Sequence, residues 1–254
     1  IGYFDSAAIN LVCVVFLLIS AANFSLHYAT VTQRSLKQYV RDPEFKTFLY
    51  IQLCLVLLCW AVLVSEKTFD GKLAALDQAL FQAVSISTTA GFATTDFAHW
   101  PLFLPILLIF SSFIGGCASS TGGGLKVVRV LLLFKQGIRE LNRLVHPKAI
   151  FSIKLGKKAL PDRVVEAVWG FFSAYTLVFV IIMLALIGTG LDDITAFTAT
   201  AACLNNLGPG LGDVAANYAS VSDSAKWVLM IAMVFGRLEV FTLLVLFTPA
   251  FWRS

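Results

Sequence analysis

Two runs in this sequence have the composition of a binding site that uses no formal charge. Ser87-Thr88-Thr89-Ala90-Gly91-Phe92 and Leu204-Asn205-Asn206-Leu207-Gly208-Pro209-Gly210 each follow a short apolar stretch and carry a glycine four or five residues in. The chemistry open to them is coordination by main-chain carbonyls. A potassium-sized cation leaves its water shell only where oxygens of similar number and geometry replace it. Gly91 admits the backbone angles that turn successive carbonyls toward one axis, where a Cβ would oppose φ > 0. The negative C-terminal end of the preceding short helix acts in the same direction. Each run alone also reads as a glycine turn closing a helix, and Asn205 and Asn206 as a C-cap. Their repetition behind matching short helices favours two filter strands. One holds Thr88, Thr89, Ala90 and Gly91, the other Asn205, Asn206, Leu207 and Gly208, with Thr89, Ala90, Asn206 and Leu207 expected nearest the ion.

Two further runs lie inside apolar segments. Gly115-Gly116-Cys117-Ala118-Ser119-Ser120-Thr121-Gly122-Gly123-Gly124 interrupts a stretch that is otherwise a membrane span. Each interior glycine costs a helix about 1 kcal/mol relative to alanine, and the serines and threonine compete for backbone hydrogen bonds. Gly115, Gly116, Gly122, Gly123 and Gly124 therefore predict a flexible loop, either a gate beneath the filter or a plain kink. A phosphate-binding loop is excluded, because Leu125 stands between Gly124 and Lys126 where Gly-Lys-Ser/Thr is required. Gly236-Arg237-Leu238-Glu239 places a cation in the last apolar segment. An intramembrane arginine faces a water-filled cavity or a partner, so Arg237 reads either as a tie to a neighbouring helix or as a pore-lining barrier.

The elements that must position these runs follow from hydropathy and charge. The 254 residues are 58% hydrophobic and 13% charged, against about 25% charged in a soluble domain. Apolar stretches at 7–28, 48–65, 101–134 (interrupted), 164–187 and 227–252 approach or exceed the roughly 20 residues that span a bilayer. Two shorter stretches, 72–87 and 191–203, end at the filter runs and read as re-entrant half-helices, tolerated at membrane depth where they line a cavity. Arg34, Lys37, Arg41 and Lys46 outnumber Asp42 and Glu44, and the 135–163 segment is strongly basic, so both face the cytoplasm. Glu66, Asp70, Asp77 and Asp96, then Asp192, Asp193, Asp213 and Asp223, make the opposite connections acidic. The pore loops then enter from outside.

An offset of 117 residues aligns Thr88 with Asn205, Thr89 with Asn206, Ala90 with Leu207 and Gly91 with Gly208. The expected organisation is a closing span over 1–30, a cytoplasmic loop over 31–47, a pore repeat over 48–135, a basic cytoplasmic loop over 136–163 and a second pore repeat over 164–254. The chain begins at Ile1 with no signal-peptide pattern, and is expected to be the C-terminal part of a longer polypeptide. Five cysteines without paired spacing and three scattered histidines point to neither a disulfide framework nor a zinc site. The grouping of basic residues by membrane side accounts for the net charge of +4 without nucleic acid.

The four runs together, with Asn23-Phe24-Ser25-Leu26-His27-Tyr28, resemble the Trk/Ktr/HKT potassium transporter superfamily, and the bacterial Trk-type membrane subunit in particular. The resemblance covers nearly the whole chain. It implies an all-α integral membrane protein of repeated helix–pore loop–helix units, a potassium-channel-like pore in which four repeats contribute one filter strand each. By this resemblance potassium is bound at residues 88–91 and 205–208, 115–124 is the gate loop, and Arg237 lies just below the filter. The cargo is the potassium ion, with no organic cofactor and no catalysis on this chain. The implied partners are a second copy in a homodimer, membrane lipid and a cytosolic nucleotide-binding regulatory ring, with the basic 135–163 segment as a docking surface. The implied location is the bacterial inner membrane. The two filter runs share only their glycine, so fourfold symmetry is not expected. A secondary transporter with a midplane solute site is the alternative; it calls for an acidic residue at the helix break, and none lies between 101 and 125. A non-transporting structural or sensory subunit is the third reading.

Overall fold

The chain is helical wherever apolar runs are long, and four of the described α-helices start where a side chain takes a free N–H. In the computed structural model, which describes all residues except 157, 239–244, 246–248 and 253–254, α1 is Ala7–Ala21, α2 Phe24–Gln33, α3 Lys37–Arg41, α4 Pro43–Ser65 and α5 Lys72–Ser87. They are followed by α6 (Leu104–Ile114), α7 (Val127–Val145), α8 (Asp162–Gly188), α9 (Asp193–Leu204), α10 (Asp223–Arg237) and α11 (Pro249–Trp252). Asp42 caps α4 by accepting the Phe45 N–H at 2.7 Å, with Pro43 at the first helical position, where its missing N–H costs nothing. Asp192 caps α9 through the Thr195 N–H at 3.1 Å, and Ser222 caps α10 through the Ala225 N–H at 3.4 Å. A two-stranded hairpin, Lys154–Leu155 with Lys158–Ala159, lies in the basic connection between α7 and α8.

Among the described residues α4 and α8 are long and apolar enough to cross a bilayer, each with a mean hydropathy of 2.4. Their outward faces are apolar and exposed, as at Leu53 and Leu57 on α4 and at Leu177, Ile181 and Leu184 on α8, the pattern of a surface solvated by lipid. The short helices α5 and α9 are different. From Phe81 to Ser87 and from Thr198 to Leu204 every residue is buried. Their buried hydroxyls bond back to helix carbonyls, Thr198 to Ile194 at 2.8 Å and Thr200 to Ala196 at 2.7 Å. Each short helix is the centre of its own core. Ala79, Ala83 and Ile86 of α5 pack with α1, α4 and α6, while Ala196, Ala199 and Leu204 of α9 pack with α8 and α10. Small side chains let these backbones approach closely.

Three boundaries differ from the sequence expectation. The span expected over 7–28 is broken: α1 and α2 meet at a 93° bend. Ala22 is extended, and Asn23 starts a new helix by accepting the Ser25 N–H. The carbonyls freed at the end of α1 are used, because the Cys117 N–H donates to Ala21 O at 2.8 Å. Hydropathy sees the apolar run but not the tertiary donor that lets it stop. The interrupted span over 101–134 is α6, a break and α7, and α7 continues to Val145, well into the segment expected as loop. The last span, expected over 227–252, begins earlier at Asp223, and its helix is described to Arg237; Glu239 lies outside the described residues.

Candidate ion-conducting site

The two filter runs are the C-terminal turns of α5 and α9, and they close in the same way. Thr88 and Asn205 are the C-caps. The Ala90 N–H returns to Ser85 O at 2.9 Å, and the Leu207 N–H to Ala202 O at 2.8 Å, each spanning five residues. The intervening Thr89 and Asn206 take left-handed backbones at φ +60° and +54°. This is the Schellman closure of a helix, repeated at the offset of 117. A β-branched residue at positive φ is a strained choice, and Thr89 has a reason to be there: its Oγ accepts the Gly123 N–H at 2.6 Å. Gly91 and Gly208 follow at φ +73° and +103°.

The turns meet. A Cβ on Gly91 would strike the Leu207 carbonyl oxygen and lie 3.1 Å from Pro209 Cδ, so only glycine lets the first strand lie against the second. Both glycines line one cavity of about 590 Å³, together with Thr94, Asp96, Pro209 and Tyr218. On the other side of the turns lies a cavity of about 230 Å³, lined by Thr121, Gly122, Gly123, Tyr175, Gly236 and Arg237 among others.

The glycine loop 115–124 sits directly beneath the turns. A Cβ on Gly122 would lie 2.9 Å from the Thr88 carbonyl oxygen, and one on Gly123 would strike the Asn205 carbonyl oxygen. Lacking helical hydrogen bonds, the loop is held by what surrounds it. The Val127 N–H closes on Gly116 O at 3.0 Å and the Leu125 N–H on Phe113 O at 2.8 Å. The Lys126 ammonium donates to the Ser120 and Gly122 carbonyls, and Arg237 Nη1 donates to Thr121 O at 3.2 Å. Gly236 brings α10 against the filter, since a Cβ there would strike Leu204 O. The arginine is thus tied to the loop by a main-chain carbonyl and faces the lower cavity as well.

The side chains of Thr88 and Asn205 are both engaged within the protein. Thr88 Oγ donates to Val84 O at 2.7 Å. Asn205 is fully buried; its Oδ1 accepts from the Tyr175 hydroxyl at 2.6 Å and its Nδ2 donates to Ser112 Oγ at 2.9 Å. A closed set of buried hydrogen bonds of this kind stiffens what it joins, here the second filter turn, α8 and the end of α6 just before the glycine loop.

Several supports were not legible in the sequence. Tyr175 and Ser112 look like ordinary membrane-core residues. Ser85 Oγ braces Phe92 O at 2.6 Å, Gln82 Nε2 holds Thr95 O at 2.8 Å, and Ser87 Oγ donates to Gln52 on α4 at 2.9 Å. Tyr218, in the loop after α9, donates its hydroxyl to Gly208 O at 2.7 Å. Burial, helped by the adjacent Cys203 thiol, pushes that phenol above its ordinary value, so it remains a donor. The only signal available was that Gln82, Ser85 and Ser87 on α5 and Gln52 on α4 fall among apolar residues, where a polar side chain needs a partner. Among the described residues no cluster of histidine, cysteine and carboxylates has metal-holding geometry.

Comparison with known proteins supplies the lineage. The family model described as TrkH, cation transport protein, matches residues 1–254. The chain is 64% identical to the Trk system potassium uptake protein TrkH of Vibrio parahaemolyticus and 62% identical to that of Escherichia coli K12, in each case over all of this chain and 53% of the relative. It is 41% identical to the E. coli TrkG protein. The chain therefore spans about half the length of the curated relatives it matches. The crystal structure of the potassium transporter TrkH from V. parahaemolyticus superposes with a TM-score of 0.95 at 64% identity, covering all of this chain and 55% of that one. A match that runs from the first residue to the last, in sequence and in fold, leaves one assignment: the chain belongs to the TrkH family of cation transport proteins.

Proposed function

We propose that the complete protein conducts potassium ions passively into the cell through a gated pore, and that this chain supplies two filter strands of it and the gate. The observation that carries this is the meeting of two helix C-terminal turns of identical closure, with Gly91 packed on the Leu207 carbonyl. In this reading the carbonyls of residues 88–91 and 205–208, those of Thr89, Ala90, Asn206 and Leu207 foremost, replace potassium's water shell, helped by the helix dipoles behind them. The acidic vestibule around Asp96 raises the local cation concentration. Loop 115–124 occludes the path below, and Arg237 adds an electrostatic barrier. The names of the relatives, which are potassium uptake proteins, support the choice of ion. The complete protein is further proposed to contain four such repeats, to form a homodimer in the bacterial inner membrane, and to be opened by a cytosolic nucleotide-binding ring docking on the basic 135–163 segment. Flux of rubidium into liposomes bearing the complete protein tests the central claim. Uptake that is blocked by potassium in preference to sodium supports it; uptake of an organic solute without cation flux would replace it with a solute transporter.

Tyr218 gives a separable expectation. Its hydroxyl tethers one carbonyl of the second filter turn. Tyr218→Phe keeps the ring and removes the tether, leaving that carbonyl free to close on a smaller ion. A net hydrogen bond of about 1 kcal/mol corresponds to a roughly fivefold rise in sodium relative to potassium permeability, read from reversal potentials. An unchanged ratio with intact current would show the tether to be irrelevant.

A further inference from the structure

Among the described residues Glu44 is the one buried carboxylate, only 5% exposed, and nothing in the conduction path uses it. It stands in the first turn of α4, at the inner end of a membrane-crossing helix. Its Oε1 accepts the Ala118 N–H at 2.5 Å, in the middle of the glycine loop. One side chain therefore joins the first turn of α4 to the middle of the glycine loop.

The chemistry suits a carboxylate. The loop has no helical ladder of its own, so a buried group that accepts from it satisfies a donor that would otherwise be orphaned. A charged acceptor makes this bond roughly twice as strong as a neutral one. The carboxylate that a sequence search around the helix break fails to find is brought there from α4, and its bond is spent on the loop itself and not on a solute.

We propose that Glu44 is the latch of the gate: a positioning residue that holds loop 115–124 in its occluding form, so that displacement of the inner end of α4, next to the cytoplasmic segment 34–42, releases the loop. This rests on reading 115–124 as the gate. The test uses the complete protein in liposomes without any regulatory subunit, with rubidium flux normalised to protein incorporated and the potassium-to-sodium preference measured alongside. Glu44→Gln keeps the shape but weakens the bond. It is expected to raise basal flux about tenfold, on the strength usual for charged hydrogen bonds, at unchanged ion preference. Wild-type or lowered flux in well-incorporated E44Q protein overturns the proposal. If E44Q does not accumulate, Glu44→Asp decides by the same readout: raised flux supports the latch and wild-type flux overturns it. Deletion of residues 119–121 separates the two readings. A deletion that raises flux while E44Q does not removes the latch alone, and a deletion that leaves flux unchanged removes the gate beneath it.

Discussion

Gly91→Asp in the complete protein is expected to abolish potassium flux, lowering rubidium uptake by about a hundredfold or more. Two costs combine. At φ +73° any side chain is strained, by about 1–2 kcal/mol. The new Cβ also falls on the Leu207 carbonyl oxygen, with Pro209 close behind, and neither backbone nor a proline ring can step aside cheaply. The strands must part, and a factor of ten in rate requires only about 1.4 kcal/mol. Gly208 provides an internal control that sequence similarity would not suggest. Its φ is +103°, yet nothing lies within 4 Å of where its Cβ would stand. Gly208→Ala is therefore expected to cost only the backbone strain and to retain measurable flux, whereas Gly91→Ala is not. Equal losses at the two glycines would contradict the packing of one strand on the other.

Arg237→Gln is expected to do the reverse and increase flux. The guanidinium donates to Thr121 O and lines the cavity beneath the filter. A cation entering that cavity meets a like charge. At about 10 Å and an effective dielectric of about 20 the repulsion is roughly 1.7 kcal/mol, so neutralising it should raise flux more than tenfold. Loss of the tie to Thr121 frees the loop and adds to the gain. Arg237→Lys keeps the charge without the planar fork and separates the two contributions: flux close to wild type assigns the effect to charge, and flux like that of Arg237→Gln assigns it to the hydrogen bond. Decreased conductance in both variants, with protein normally inserted, would argue against a barrier.

The different fates of the sequence expectations have physical reasons. The pairing of Thr88 with Asn205 and Gly91 with Gly208 was readable because the end of each short helix leaves a local trace: a polar cap and, three residues on, a glycine. The break in the third span was readable for the same kind of reason, since five glycines in ten residues cannot hold a helix. The 93° bend after Ala21 left no such trace. Ala22 and Asn23 become an ending only because the Cys117 and Thr121 N–H groups, about a hundred residues away, take up the carbonyls of Ala21 and Ser20. Similarly, the C-cap position of Asn205 was readable, but that its amide joins Tyr175 and Ser112 was not.

From the residues alone came the membrane setting, the two half-helices, the glycine loop and the correspondence of the two halves. These depend on hydropathy, charge and local backbone preference, which neighbours in the chain express by themselves. Tertiary structure alone decided that the turns touch at Gly91 and Leu207, that the loop lies under the Thr88 and Asn205 carbonyls, that Glu44 bonds to the loop, and that Tyr175 and Tyr218 bond to the second turn. Those are contacts between groups distant in sequence, chosen because each buried donor or acceptor had to find a partner in a medium without water to supply one.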